Sequence, residues 1–139
     1  MAGMTESARA FFEACETGRG WAVCKAWCTP DAGFAAQAEP LAEVTTLDAY
    51  CEWMKSLFTP MPDGRYELLA FAADAERRCV LAYAQFMGTH TGPGGPGAPT
   101  GKSTRSDYVY VMAFDGAGKI RHMTKIWNAP WALRELGWM

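Results

Sequence analysis

The C-terminal half of the chain alternates long apolar runs with turn signals, and this pattern restricts it to antiparallel strands. The longest run covers residues 108–114 and reads Tyr-Val-Tyr-Val-Met-Ala-Phe, and Asp-Gly-Ala-Gly follows it at residues 115–118. Aromatic and β-branched residues favour a strand, and an Asp-Gly turn behind such a run is typical of a β-hairpin. The same reasoning predicts strands over residues 66–73, 78–89, 103–114 and 119–127.

The N-terminal half shows helical periodicity instead. In the first segment, Phe11 and Cys15 belong to an apolar stripe, while Glu16 lies elsewhere on the helical wheel. Farther along, Asp48 stands three residues after Thr45, which is the spacing of a capping box. We predict helices over residues 7–16, 21–28 and 45–58, a short strand over residues 33–38, and a last helix from residue 130 that ends before residue 137.

The order of these elements indicates the fold class. Helices that are segregated from antiparallel strands are typical of an α+β fold, and 139 residues suit one domain over residues 1–139. The predicted strand at residues 103–114 is apolar on both of its faces. Because the helices cover only one face, we expect a second copy of the chain to cover the other, which gives a homodimer.

The composition excludes several classes of partner. The chain has 13 basic and 15 acidic residues and a net charge of −2, without the basic stripe that nucleic-acid binding requires. No apolar run approaches the roughly 20 residues of a membrane span, and the N-terminus lacks the pattern of a secretory signal, so we expect a cytoplasmic protein with no membrane partner. Five scattered cysteines without a CxxC motif indicate reduced thiols that pack in a core, and we expect no metal.

A glycine-rich loop at residues 92–97 formally matches the G-x-G-x-x-G motif of dinucleotide-binding proteins. That motif binds phosphate through backbone N–H groups at the start of a helix. Here two prolines remove N–H donors and a predicted strand follows. We therefore expect no nucleotide cofactor.

Three polar residues are candidates for chemistry on the residues alone. His90 stands where a strand leaves the sheet, and an imidazole there can move protons or orient a polar substrate, although a loop histidine without a role looks the same. Asp107 begins the apolar strand, where it either serves as a general base or pairs with a neighbour such as Arg105. Lys125 shares its strand face with Arg121, which by itself favours exposure to solvent.

Two motifs resemble those of a known family. Gly-Thr-His-Thr-Gly at residues 88–92, with Pro-Thr-Gly-Lys at residues 99–102, is similar to a stretch common in SnoaL-like polyketide cyclases. Residues 114–120 resemble the hairpin that joins the last two strands of those proteins. The element order resembles the nuclear transport factor 2-like superfamily, to which ketosteroid isomerase also belongs.

The resemblance implies both a fold and an activity. A curved antiparallel sheet wraps around the N-terminal helices and forms a cone-shaped pocket, and the proteins are usually dimers. The implied activity is acid/base catalysis that closes a ring by intramolecular aldol condensation, with no metal or organic cofactor. The implied ligand is a small hydrophobic carbonyl or aromatic compound.

The resemblance also points to site residues. The acidic pocket residue of the penultimate strand corresponds to Tyr110, and the tyrosine and aspartate of ketosteroid isomerase fall on Phe11 and near Ala36, so steroid isomerisation is not expected. On the last strand the resemblance turns Lys125 toward the pocket. It implies substrate-binding roles for Trp53, Tyr83, Gln85, Met87, Tyr108, Met112, Met123 and Trp127.

The first hypothesis is therefore a cofactor-independent enzyme of the cyclase, isomerase or lyase type. Its candidate proton-handling and orienting groups are His90, Asp107, Tyr110 and Lys125, with Tyr110 placed to hydrogen-bond a developing enolate. Two alternatives stay open: a non-catalytic protein that binds a small molecule in the same pocket, and a structural dimerisation module.

Overall fold

Residues 3–139 are described by a computed structural model in which helices and strands follow the predicted order. The helices are α1 (Met4–Glu16), α2 (Trp21–Cys24), α3 (Leu47–Leu57) and α4 (Ala129–Leu136), and the strands are β1 (Cys28–Ala36), β2 (Arg65–Asp74), β3 (Cys79–Thr89), β4 (Ser103–Phe114) and β5 (Ile120–Trp127). Short 3-10 turns cover Lys25–Trp27 and Glu39–Leu41.

The five strands form one sheet in the order β1-β5-β4-β3-β2. Strands β2 to β5 pair antiparallel, and β1 adds to the edge of β5 in parallel. Helix α1 packs on β2 and β3, and α3 packs on β1. The predicted α+β class, with a sheet around N-terminal helices, is confirmed. The parallel pair of β1 and β5 makes the sheet mixed. Between β1 at one edge of the sheet and β2 at the other, the chain crosses through α3 and the loops around it.

Two local differences have simple causes. The helix predicted over residues 21–28 ends early, and a strand already begins at Cys28. Pro30 disfavours helical backbone at the residue before it, and Cys28 pairs with Ile120 of β5. Helix α3 is capped by Thr46 rather than by its predecessor, because the Thr46 hydroxyl oxygen accepts a hydrogen bond from the backbone N–H of Ala49 at 3.1 Å.

The resemblance implied that three side chains of β3 point toward the helices, and the structure shows another orientation. The pairing of β3 with β4 runs without a bulge, and Ala82 and Ala84 of β3 are fully buried. Strict alternation therefore turns Tyr83, Gln85 and Met87 to the opposite, outer face, and their predicted inward orientation was wrong.

Part of the outer face of the sheet is apolar and open to solvent. Leu81, Tyr83 and Ile126 expose 40%, 36% and 61% of their surfaces there. Such a surface leaves room for a second copy of the chain, and the homodimer stays a prediction. Among residues 3–139, the helices are all too short or too polar to cross a membrane.

Candidate active site

A cavity of about 220 Å³ lies between the inner face of the sheet, α3 and α4. Its walls are mostly aliphatic and aromatic, as in sites that bind small organic molecules. Its polar side chains are few. The lining residues are Glu16, Pro40, Trp53, Met54, Leu57, Met61, Phe86, Thr104, Ser106, Tyr108, Lys125, Trp127, Ala132, Leu133, Leu136 and Trp138. Its size and lining suit a compact, mainly apolar ligand.

Glu16 is the acidic group of this cavity. It is the last residue of α1 and is only 1% exposed. One carboxylate oxygen accepts a hydrogen bond from the Tyr108 hydroxyl, and the other accepts one from the Tyr110 hydroxyl. Burial raises the pKa of Glu16 above its ordinary value, while the charge of Lys125 and the two tyrosine hydrogen bonds oppose part of that rise. Glu16 is therefore a carboxyl that is poised to hold or release a proton.

Lys125 is the basic group, and it is 6% exposed. Its Nζ donates a hydrogen bond to the Tyr50 hydroxyl at 2.9 Å and lies 4.4 Å from the centre of the Trp127 ring and 5.3 Å from that of Trp53. Burial lowers the pKa of Lys125 to about 8, although Glu16 acts in the opposite direction. At pH 7 roughly a tenth of the chains therefore carry a neutral amine at this position.

A directed chain of hydrogen bonds joins the two charged groups. Tyr110 donates its single proton to Glu16, so the Tyr50 hydroxyl must be the donor in the Tyr50–Tyr110 contact, and its oxygen accepts from Lys125. Burial and the nearby Glu16 raise the pKa values of both tyrosines, which keeps the hydroxyls protonated. A concerted shift along the chain can move one proton from the Lys125 ammonium to the Glu16 carboxylate.

The fold places each of these groups. Tyr110 on β4 pairs directly with Lys125 on β5, so strand register alone puts the two side chains side by side on the inner face. Helix α3 brings Tyr50 over them, where its ring stacks on Phe34 of β1 at 4.3 Å between centroids. The end of α1 supplies Glu16.

The structure brings together only part of the predicted set. Tyr110 and Lys125 meet at the cavity, and Trp53, Tyr108 and Trp127 stand around Lys125. Met112 and Met123 are fully buried in the core but do not line the cavity.

The sequence reasoning missed Glu16 and Tyr50. The helical wheel placed Glu16 off the apolar stripe, and that assignment was wrong because the buried face of α1 is wider than the stripe and includes Phe12. Phe12 and Glu16 are four residues apart and therefore share a side of the helix. That spacing was the available signal. Tyr50 carries no such signal, because it is indistinguishable in sequence from the other apolar residues of its helix.

His90 lies away from the cavity and is fully buried. Its Nδ1 accepts hydrogen bonds from Nε1 of Trp138 at 2.9 Å and from the backbone N–H of Thr100 at 3.3 Å, so its Nε2 carries the proton and donates to the Gly94 carbonyl at 2.9 Å. These contacts tie the glycine-rich loop to the C-terminal segment.

Replacing His90 by alanine is expected to lower the free energy of unfolding by about 2 kcal/mol, because two donors and one carbonyl lose their partner. Urea unfolding measures this loss of free energy. The control is His122→Ala, a change at the half-buried histidine of β5. Unchanged stability together with lost activity would instead place the His90 ring in the chemistry.

Asp107 lies on the outer face of the sheet. Its carboxylate accepts hydrogen bonds from Nε2 of Gln85 at 2.8 Å and from the Tyr83 hydroxyl at 3.2 Å. The Gln85 side-chain oxygen in turn accepts from Arg105 at 2.8 Å. Asp107 thus belongs to a surface network across β3 and β4, on the opposite side of the sheet from Lys125.

One cluster has the donor atoms for a metal ion. The sulfur atoms of Cys15, Cys24 and Cys51 all lie within 4.8 Å of one another and are buried, and they are the only such group among the residues that the structure describes. Three thiols would suit a thiophilic ion rather than Mg²⁺ or Ca²⁺. The same side chains pack as small apolar groups in the hydrophobic core, as the sequence predicted.

Solved structures show the same fold at low sequence identity. AclR of Streptomyces galilaeus, a proposed hydroxylase, is 18% identical with a TM-score of 0.76 over 98% of this chain and 85% of its own. IdmH of Streptomyces antibioticus, a proposed polyketide cyclase, is 16% identical with a TM-score of 0.75 over 98% of this chain and 99% of its own. A nuclear transport factor 2-like protein of Burkholderia thailandensis is 18% identical, with a TM-score of 0.76 over 97% and 98%.

The sequence itself matches one family. No curated protein matches the chain at a significant level. The model of the SnoaL-like domain, however, matches residues 8–123, which include most of α1, all of α3 and most of the sheet. This match confirms the resemblance that the sequence motifs indicated, and the chain belongs to the SnoaL-like family.

Proposed function

We propose that this chain catalyses cofactor-independent acid/base chemistry on a small hydrophobic carbonyl compound, of the intramolecular aldol or isomerisation type. The observation that carries the proposal is a buried lysine amine in an apolar cavity, connected to a buried carboxylate through two tyrosines. Burying two charges costs free energy, so a hydrophobic core with only a structural role has no need of this lysine, this carboxylate and the hydrogen bonds that join them. A structural neighbour named as a polyketide cyclase supports the reaction class.

The chemistry follows from the two protonation states of Lys125. The neutral amine accepts a proton from the carbon next to the substrate carbonyl, and the ammonium that forms lies beside the developing enolate and stabilises its charge. The surrounding aromatic rings stabilise the ammonium through cation–π contacts, and Glu16 balances its charge. The ammonium then passes this proton along Tyr50 and Tyr110 to Glu16. After the new carbon–carbon bond has formed, the same hydrogen bonds return a proton through the Lys125 amine to the oxygen of the product.

Tyr110 takes a different role from the one predicted for it. Its proton is engaged with Glu16, and its oxygen accepts from Tyr50. We therefore assign Tyr110 to the series of hydrogen bonds between Lys125 and Glu16, and not to a contact with the enolate.

The test is the pH dependence of turnover with small 1,3-dicarbonyl and polyketide-like substrates. We expect kcat to rise with pH through about 8, since the neutral amine is the base and its fraction grows across the pKa of Lys125. Liquid chromatography with mass spectrometry measures the product. Lys25→Met, at an exposed lysine, is the matched control and should keep the wild-type profile.

Two results would contradict the proposal. A flat pH profile between 7 and 9 would exclude Lys125 as the base. Saturable binding of these compounds without any turnover would favour the alternative, a non-catalytic binding protein of the same fold.

A further inference from the structure

We propose that Lys125 also acts as a nucleophile, and that its Nζ forms a covalent imine with a carbonyl carbon of the ligand held in the cavity. This inference rests on the proposed function, because it uses the same cavity and the same class of ligand. It goes further in assigning a covalent intermediate to the site.

Lys125 differs from every other lysine of the chain in its surroundings. Its four counterparts are exposed to solvent, namely Lys25, Lys55, Lys102 and Lys119. Lys125 alone is enclosed, and it alone lines the cavity. An amine in water is protonated and hydrated, whereas an amine in an apolar pocket is a better nucleophile.

The Nζ atom of Lys125 has few polar partners. Within the described part of the chain, Nζ donates to one hydroxyl, that of Tyr50, and forms no ion pair with a carboxylate. Glu16 acts on the Lys125 ammonium only through the hydrogen bonds of the two tyrosines and by Coulomb attraction without direct contact. A lysine held in a direct ion pair would have its lone pair permanently occupied by a proton. The lone pair of Lys125 becomes available whenever one proton leaves.

The hydrogen bonds of the site give that proton a route. Imine formation needs a neutral amine at the start and an acid later, because the carbonyl oxygen must leave as water. The chain from Lys125 through Tyr50 and Tyr110 ends at Glu16, a carboxyl whose pKa is raised by burial. It can take a proton from the ammonium and return one, without water entering from outside.

The covalent steps balance without any oxidant or reductant. The amine lone pair attacks the carbonyl carbon, the π electrons move to the oxygen, and the nitrogen transfers one proton to that oxygen. A second proton then reaches the hydroxyl, which leaves as water, and the C=N bond of the iminium forms. The Glu16 carboxylate, which lines the cavity, takes a proton from the adjacent carbon and an enamine forms. The enamine carbon attacks a second carbonyl of the same ligand, which re-forms the C=N bond, and the new alkoxide takes up the proton that Glu16 holds. Addition of water to the remaining C=N bond releases the product and restores the amine.

The experiment traps the imine with sodium borohydride. Wild-type protein is incubated at pH 7 with the monoketone 2-pentanone as the probe, reduced, digested and mapped by mass spectrometry. We expect one adduct per chain, at Lys125, because at pH 7 its neutral fraction is about 300-fold larger than that of an amine with the ordinary lysine pKa. Lys125→Met should remove the adduct and Lys119→Met should keep it. Mapping of the wild-type chain decides the question even if the Lys125 variant does not fold.

The outcomes separate this inference from the proposed function. Labelling that is spread evenly over the exposed lysines overturns the imine. Turnover of carbonyl substrates with the expected pH profile but no adduct at Lys125 also overturns the imine, and leaves the acid/base function standing. An adduct at Lys125 without turnover supports the imine and contradicts the acid/base enzyme.

Discussion

Replacing Lys125 by methionine is expected to lower kcat by about 10³-fold and the free energy of unfolding by about 3–5 kcal/mol. Methionine keeps most of the volume of the lysine stem, so packing against Trp53 and Trp127 is preserved. The loss of stability arises because Glu16 stays buried while the cation that offsets part of its burial cost is gone. Urea unfolding and steady-state kinetics measure the two effects separately.

A double variant isolates the coupling between the two charged groups. Glu16→Gln keeps a carbonyl oxygen for one tyrosine hydroxyl and removes the negative charge. In the Glu16→Gln/Lys125→Met protein no uncompensated charge is buried, so we expect its free energy of unfolding to lie closer to that of the wild type than Lys125→Met does. Activity should not return, because the amine is absent.

The single variants and the double variant together can also contradict the coupling between Glu16 and Lys125. If the two destabilisations simply add, Glu16 and Lys125 do not depend on each other, and the chain of tyrosines between them is structural. If the double variant regains activity, the amine is not the group that handles the proton.

The fold was predictable because its strongest signals are local. The hairpin after residue 114 and the alternation of β4 follow from a turn sequence and from side-chain type, and the predicted strand over residues 103–114 has the observed bounds. The parallel placement of β1 was not predictable in this way. It depends on pairing with Ile120 and its neighbours, which lie nearly a hundred residues away in sequence.

The residues of the site also differ in whether they could be predicted from the sequence. Lys125 and Tyr110 were predicted only through the resemblance to the SnoaL-like family, because strand alternation alone favoured an exposed Lys125. Strand register does put the two side chains next to each other. Glu16 was missed because a wheel drawn for one helix does not show which side packs on a sheet. Asp107 was a candidate because it stands at the start of the apolar strand, but strand alternation turns it to the face opposite that of its buried neighbours Ser106 and Tyr108.

Replacing Tyr110 by phenylalanine is expected to lower kcat by about 10²-fold, and replacing Tyr108 by phenylalanine should lower it much less. Each change removes one hydrogen-bond donor from Glu16, so the direct effect on the carboxylate is similar. Only Tyr110 also contacts Tyr50, and only its loss interrupts the chain from Lys125 to Glu16.

The comparison of these two variants therefore separates proton movement from electrostatics. Measured kcat and its pH profile should show the limb near pH 8 retained in Tyr108→Phe, with KM altered because Tyr108 lines the cavity. In Tyr110→Phe the proton taken up by Lys125 has no path to Glu16 and must leave through the cavity, which slows turnover. Equal losses in the two variants would mean that the tyrosines act only by stabilising the Glu16 carboxylate, and that Lys125 exchanges its proton with the ligand alone.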